Sequence, residues 1–228
     1  MKSRVLIILV FLVACGSRSR PPAKAPEAPR PDVVQETPPV AKEEVWPATL
    51  PVGWKVLNDY EGALDQNLWG GFVSTWSYHA GRCKLDSVMD GGSKRLKVTW
   101  DLPLEDSQCG TYEYLAGGKG KPKPVDISSY EKVVFLARSG DGQTHTIHFE
   151  VTELDPYDAA LQGYVGDMSF DASPDWQRYE MDLDKRLHPM FDRKKGKQVG
   201  IRVDRKSGAS GVVLLDNVTF VTRGHGGL

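Results

Sequence analysis

The run Thr144-His145-Thr146-Ile147-His148-Phe149-Glu150-Val151-Thr152 alternates strictly, with Ile147, Phe149 and Val151 on one side of an extended chain and His148, Glu150 and Thr152 on the other. A strand turns successive side chains to opposite faces, so the pattern predicts a β-strand with one face in a core and the other in water. Working outward, similar short runs occur at 54–60, 72–79, 96–100, 112–115, 132–138, 164–170, 176–183, 198–203 and 212–221. Clusters of turn residues separate them, such as Ser139-Gly140-Asp141-Gly142 and Ser207-Gly208-Ala209-Ser210-Gly211. No helical period is sustained. So many short strands in one domain require two packed sheets, and the predicted fold is all-β, a two-sheet β-sandwich of the jelly-roll kind.

The chain before this domain reads differently. Met1-Lys2-Ser3-Arg4 is a basic start, and Val5 to Ala14 carries no polar side chain, which is the pattern of an export signal. As a helix that segment would rise only ~15 Å, about half of the ~30 Å hydrocarbon core, so it does not serve as a spanning anchor. Leu12-Val13-Ala14-Cys15-Gly16 resembles the bacterial lipobox, which implies cleavage before Cys15 and a diacylglycerol on its thiol. Each buried acyl methylene contributes ~0.8 kcal/mol, so several chains hold a protein firmly at a membrane. Gly16, in place of an aspartate, resembles lipoproteins sorted onward to an outer membrane. The expected location is the bacterial envelope, with the membrane touched through the lipid alone.

Nine of the fifteen prolines fall between Pro21 and Pro51, among Ala, Lys, Arg and Glu. Such a segment cannot bury a core, and it favours an extended polyproline form of ~3.1 Å per residue. The expected organisation is a signal peptide over residues 1–14, a lipidated Cys15 opening a disordered linker over 15–50, a binding domain over 51–223 and a disordered tail over 224–228. With 29 Lys and Arg against 30 Asp and Glu, the chain has no concentrated basic character, which excludes a nucleic-acid surface. Lipidation of Cys15 leaves Cys83 and Cys109 in an oxidising compartment, where a disulfide is the natural reading. Bridging requires Cα atoms within ~7 Å, which sequence cannot show.

Ordered motifs then accumulate: Leu57-Asn58-Asp59-Tyr60-Glu61-Gly62, Trp69-Gly70-Gly71, Leu96-Lys97-Val98-Thr99-Trp100, Val125-Asp126-Ile127-Ser128-Ser129-Tyr130, Asp175-Trp176-Gln177 and Leu215-Asp216-Asn217-Val218. Their order resembles the galactose-binding-like jelly rolls, especially bacterial carbohydrate-binding modules of family 11 and the related complex I intermediate-associated protein 30 domain. The resemblance covers roughly Gly53 to Thr222 and implies a glycan or polysaccharide ligand.

Sugar binding on a sandwich needs aromatic rings for the apolar faces of pyranoses and polar groups for their hydroxyls. Trp76 and Tyr78 share one face of a predicted strand, as do Tyr112 and Tyr114 on another, and the family 11 resemblance implies ligand-binding tyrosines on roughly these strands. His148, Glu150, Arg178 and Tyr157 complete the candidate set. The resemblance also implies a structural Ca2+ held by Asp59, Glu61 and Asp216, because carboxylate oxygens suit that hard cation. His145 and His148 would face opposite sides of their strand and so could not close one zinc site.

No nucleophile elbow, zincin helix, phosphate loop or dinucleotide fingerprint occurs, so the expectation is a binding module and not an enzyme. Two other readings stay open. One is an envelope lipoprotein whose sandwich binds protein; the other is glycoside hydrolysis by a carboxylate pair that sequence cannot place in space.

Overall fold

Asn217 sits at a left-handed φ of 54°, and the longest strand depends on it. Val213 and Leu215 point into the core, and an uninterrupted strand would then aim Val218 and Phe220 outward. Instead the register shifts between Asp216 and Thr219, and Val218 and Phe220 are also buried in the core. An asparagine tolerates this conformation better than most residues, and the extra residue forms a bulge that resets the alternation.

This computed structural model describes residues 46–155, 157 and 162–224. The signal segment, Cys15, the linker as far as residue 45 and tail residues 225–228 lie outside the described residues. Among the described residues, no helix is long and apolar enough to cross a membrane.

The strands in chain order are β1 (Trp54–Asn58), β2 (Val73–Tyr78), β3 (Arg82–Asp90), β4 (Ser93–Asp101), β5 (Gln108–Tyr114), β6 (Gly117–Gly118), β7 (Lys121–Pro122), β8 (Tyr130–Ser139), β9 (His145–Leu154), β10 (Gln162–Ala172), β11 (Gln177–Asp182), β12 (Gly196–Val203) and β13 (Ser210–Thr222). A six-stranded sheet runs β11-β8-β13-β4-β3, with β1 also paired to β13. A five-stranded sheet runs β10-β9-β12-β5-β2. The two enclose one core, in which Phe135 of the first sheet stacks on Phe149 of the second with ring centroids 4.3 Å apart. Each large side chain buried there contributes about 1.5–3 kcal/mol by removal of apolar surface from water.

The architecture is the all-β two-sheet sandwich read from the alternating runs, and every one of those runs overlaps a strand. Strand β3 and the short β6–β7 hairpin were not legible. Strand β3 is an edge, so its inward side offers little beyond Cys83 and Leu85 to mark a period. Its turn into β4 is the pair Gly91-Gly92, with φ of 57° and 84°, the two left-handed residues that a tight hairpin needs. Cys83 of β3 and Cys109 of β5 are bonded, with Cα atoms 5.6 Å apart, so the disulfide joins the two sheets. On the outer face of the six-stranded sheet, Trp46 and Leu50 pack against Trp54, Val134 and Val221.

Candidate functional site

The strand order of the five-stranded sheet turns scattered alternating positions into rows on its outer face. One row runs Trp76 (β2), Gly110 (β5), Arg202 (β12), His148 (β9) and Ser169 (β10). Beside it Ser74 pairs with Tyr112, and Gly200 pairs with Glu150, which pairs in turn with Asp167. A further row links Tyr114, Gln198, Thr152 and Val165. Aromatic groups gather at the β2–β5 side and charged groups at the β9–β12 side.

On the aromatic side Tyr112 and Tyr114 have ring centroids 5.0 Å apart, and Phe72, just before β2, lies 6.3 and 6.4 Å from them. Trp76 and Tyr112 are half-buried, Tyr78 is exposed and Tyr114 is buried. Burial, then the neighbouring Tyr112, pushes the Tyr114 phenol above its ordinary pKa. The Trp76 indole lies on the backbone of Gly110: a Cβ there would come within 2.8 Å of its Nε1 and 2.1 Å of the Ile201 carbonyl. A hollow of about 230 Å³ lined by Asp65, Gln66, Gly70, Phe72 and Gly118 adjoins the Phe72 end.

These rings rest on a buried polar support. Glu113, inward between Tyr112 and Tyr114, accepts from Asn58 Nδ2 at 3.0 Å and from the Tyr60 hydroxyl. Burial is the main cause that raises the pKa of Glu113, and burial followed by the Glu113 charge raises that of Tyr60. Asn67 donates to the Tyr114 carbonyl at 2.9 Å and accepts from the Gly71 amide at 2.8 Å, which fixes the approach to Phe72.

On the charged side Arg202 Nε donates to Glu150 Oε1 at 2.6 Å and Nη1 to Asp204 Oδ2 at 3.1 Å, with Asp167 3.9 Å away. Burial disfavours the Arg202 charge, but Glu150, Asp167 and Asp204 outweigh it and raise its pKa. His148 sets Nδ1 3.2 Å from both Asp167 oxygens and from Ser169 Oγ, and Nε2 3.6 Å from Asp204. The face thus offers flat rings beside fixed donors and acceptors, the combination that a pyranose with apolar faces and equatorial hydroxyls requires.

Trp76, Tyr78, Tyr112, Tyr114, His148 and Glu150 therefore share one surface. Arg178 does not join them: it lies on β11 of the other sheet, paired with Glu180 and placed over the Trp54 ring at 5.2 Å. Tyr157 is fully exposed on the loop after β9. Sequence reading missed Phe72, Asp167, Arg202 and Asp204. The alternation Gln198, Gly200, Arg202 was visible, but not that β12 lies between β5 and β9.

His145 and His148 do face opposite ways. His145 is buried, with its ring nitrogens 2.9 Å from the Ser207 carbonyl and 2.9 Å from Asp141. Among the described residues, no group of three or more His, Cys, Asp and Glu side chains is arranged to hold a metal ion. Asp216 and Glu61 instead flank the Arg95 guanidinium, whose Nη1 is 3.1 Å from Asp216 and 3.7 Å from Glu61, while Asp59 accepts from the Glu61 amide at 3.2 Å. They do not form the cation cage implied by the resemblance.

No family model matches the chain, and no curated protein matches it. Solved structures do. A family 11 carbohydrate-binding module from Clostridium thermocellum, in complex with a β-1,3-1,4-mixed-linked tetrasaccharide, superposes with a TM-score of 0.60 at 18% identity over 76% of this chain and 98% of that one. The family 11 module of the cellulosomal cellulase Lic26A-Cel5E of the same organism gives 0.60 at 17% identity, over 76% and 96%. A family 30 carbohydrate-binding module of another Clostridium thermocellum cellulosomal cellulase gives 0.51 at 16% identity, over 67% and 93%. At these identities the likeness is one of fold.

Proposed function

We propose that this protein is a lipid-anchored lipoprotein of the bacterial envelope, at the outer membrane, whose sandwich binds a glycan without catalysis. The observation that carries the reading is the outer face of the five-stranded sheet, where Phe72, Trp76, Tyr78 and Tyr112 adjoin the Arg202–Glu150–Asp204–His148 network. The fold likeness to carbohydrate-binding modules supports it. A polysaccharide held on that face would fix the cell surface, or a partner enzyme, to its substrate.

The test is a glycan array of plant, microbial and peptidoglycan sugars probed with the purified protein, alongside a Trp76→Ala/Tyr112→Ala variant. Retention lost in the variant, with an unchanged melting curve, supports the assignment. Absence of binding throughout would transfer it to a protein-binding envelope lipoprotein, and release of reducing ends would make it a hydrolase. Globomycin-sensitive processing and loss of membrane association in Cys15→Ser test the anchor.

A further inference from the structure

Arg95 is 1% exposed, and its Nε and Nη2 have no hydrogen-bond partner among the described residues. A guanidinium in that state is costly unless acids surround it. It is the third residue of β4, next to Leu96 where β4 begins its pairing with β13, at the end where β1 stops and beside the Asn217 bulge. Asp216 arrives from β13 and Glu61 from the loop after β1, while Asp59 lies near enough to act on Asp216 electrostatically. Lys94 reinforces the same junction, donating from its backbone amide to Glu61 Oε1 at 3.2 Å and from Nζ to the Glu61 carbonyl at 3.0 Å. Trp176 covers the guanidinium from outside, with its ring 5.6 Å from Arg95 Cζ.

A divalent cation held by Asp216 and Glu61 would tie the loop after β1 to the last strand, and the Arg95 guanidinium already lies between those two carboxylates. We propose that Arg95 is an internal replacement for the structural cation of the fold, so that this domain closes its β1–β13–β4 junction without Ca2+. Burial lowers the Arg95 pKa from its ordinary high value and Asp216 opposes that, and the guanidinium, part of the chain itself, cannot be removed by a chelator. The domain's rigidity is then independent of the calcium level of its compartment. This inference does not rest on glycan binding.

The test uses thermal melts of the purified full chain in EDTA and in millimolar CaCl2, with Tb3+ luminescence excited through Trp176 as a second readout. Wild type is expected to melt at the same temperature in both, with no Trp-sensitised Tb3+ signal from this site. Arg95→Ser leaves Asp216 and Glu61 without their counter-charge; it is expected to melt roughly 10 °C lower in EDTA, to recover part of that loss in Ca2+, and to gain a Tb3+ signal. Adding Asp216→Asn should abolish the recovery. Stabilisation of wild type by Ca2+, or an Arg95→Ser protein that is destabilised yet indifferent to Ca2+, would overturn the proposal. Should Arg95→Ser not fold, the wild-type melts and Arg95→Lys decide: the lysine keeps the charge and should remain insensitive to both EDTA and Ca2+.

Discussion

Arg202 and Glu150 meet diagonally across the β9–β12 pair, with Nε 2.6 Å from Oε1, and the contact holds the guanidinium beside the aromatic half of the face with Asp204 on its other side. Part of its donor capacity remains turned to solvent, since the side chain keeps 22% of its exposure. On the proposed function, Arg202 is the group that reads sugar hydroxyls. Arg202→Ala should weaken glycan binding roughly 10- to 100-fold, the worth of a charged hydrogen bond. The pair is mostly buried, with side-chain exposures of 22% and 16%, so removing the guanidinium strands Glu150 and should also lower stability, by about 1–3 kcal/mol. Calorimetric titration and a denaturant melt on the same variant separate the two.

The aromatic residues should divide by burial. Trp76→Ala and Tyr112→Ala remove half-exposed rings and are expected to cost about 1 kcal/mol of binding each, several-fold in affinity, with modest loss of stability. Tyr114, 8% exposed, is packed as core, so Tyr114→Ala should destabilise by about 3 kcal/mol or more. Affinity electrophoresis beside thermal melts would show the split. Equal stability losses at Trp76 and Tyr114 would contradict it.

The Cys83–Cys109 bond closes a loop of sequence separation 26 and ties the sheet that carries the face to the one behind it. The loop-entropy relation gives about 3–4 kcal/mol for a loop of this length. Reduction, or Cys83→Ser/Cys109→Ser, should lower the denaturation free energy by that order, measured in urea with and without reductant. A change near zero would mean that the bridge adds nothing to the packing.

Stability should also fall as pH rises through the weakly acidic range. Burial, against the pull of Arg95 and with Glu61 and Asp59 adding to it, raises the Asp216 carboxyl to about 7. Burial raises Glu113 as well. A carboxyl whose folded pKa exceeds its unfolded ~4 binds its proton more tightly when folded. Its contribution is complete below ~4 and is lost as pH climbs toward the folded value. Melts between about pH 5 and pH 8 should therefore decline, and Asp216→Asn should flatten the decline while leaving Arg95 an acceptor. Glu113→Gln should raise the melting temperature at pH 8. A flat wild-type profile would refute both assignments.

Alternation in the run from Thr144 to Thr152 and its counterparts sufficed to define the fold class, because the two-residue period of a strand is written locally in the side chains. The same local rule placed Trp76 with Tyr78, Tyr112 with Tyr114, and His148 with Glu150, each pair on one face of its own strand. Which strands lie side by side is a matter of chain return over tens of residues, and no local pattern carries it. Hence the sequence could not show that Arg202 would stand between Gly110 and His148, nor that Arg178 would lie on the opposite sheet. The same limit applies to Arg95. The resemblance implied a cation at Asp59, Glu61 and Asp216, and only the packing of β4 against the Asn217 bulge brings a buried guanidinium to Asp216 and Glu61.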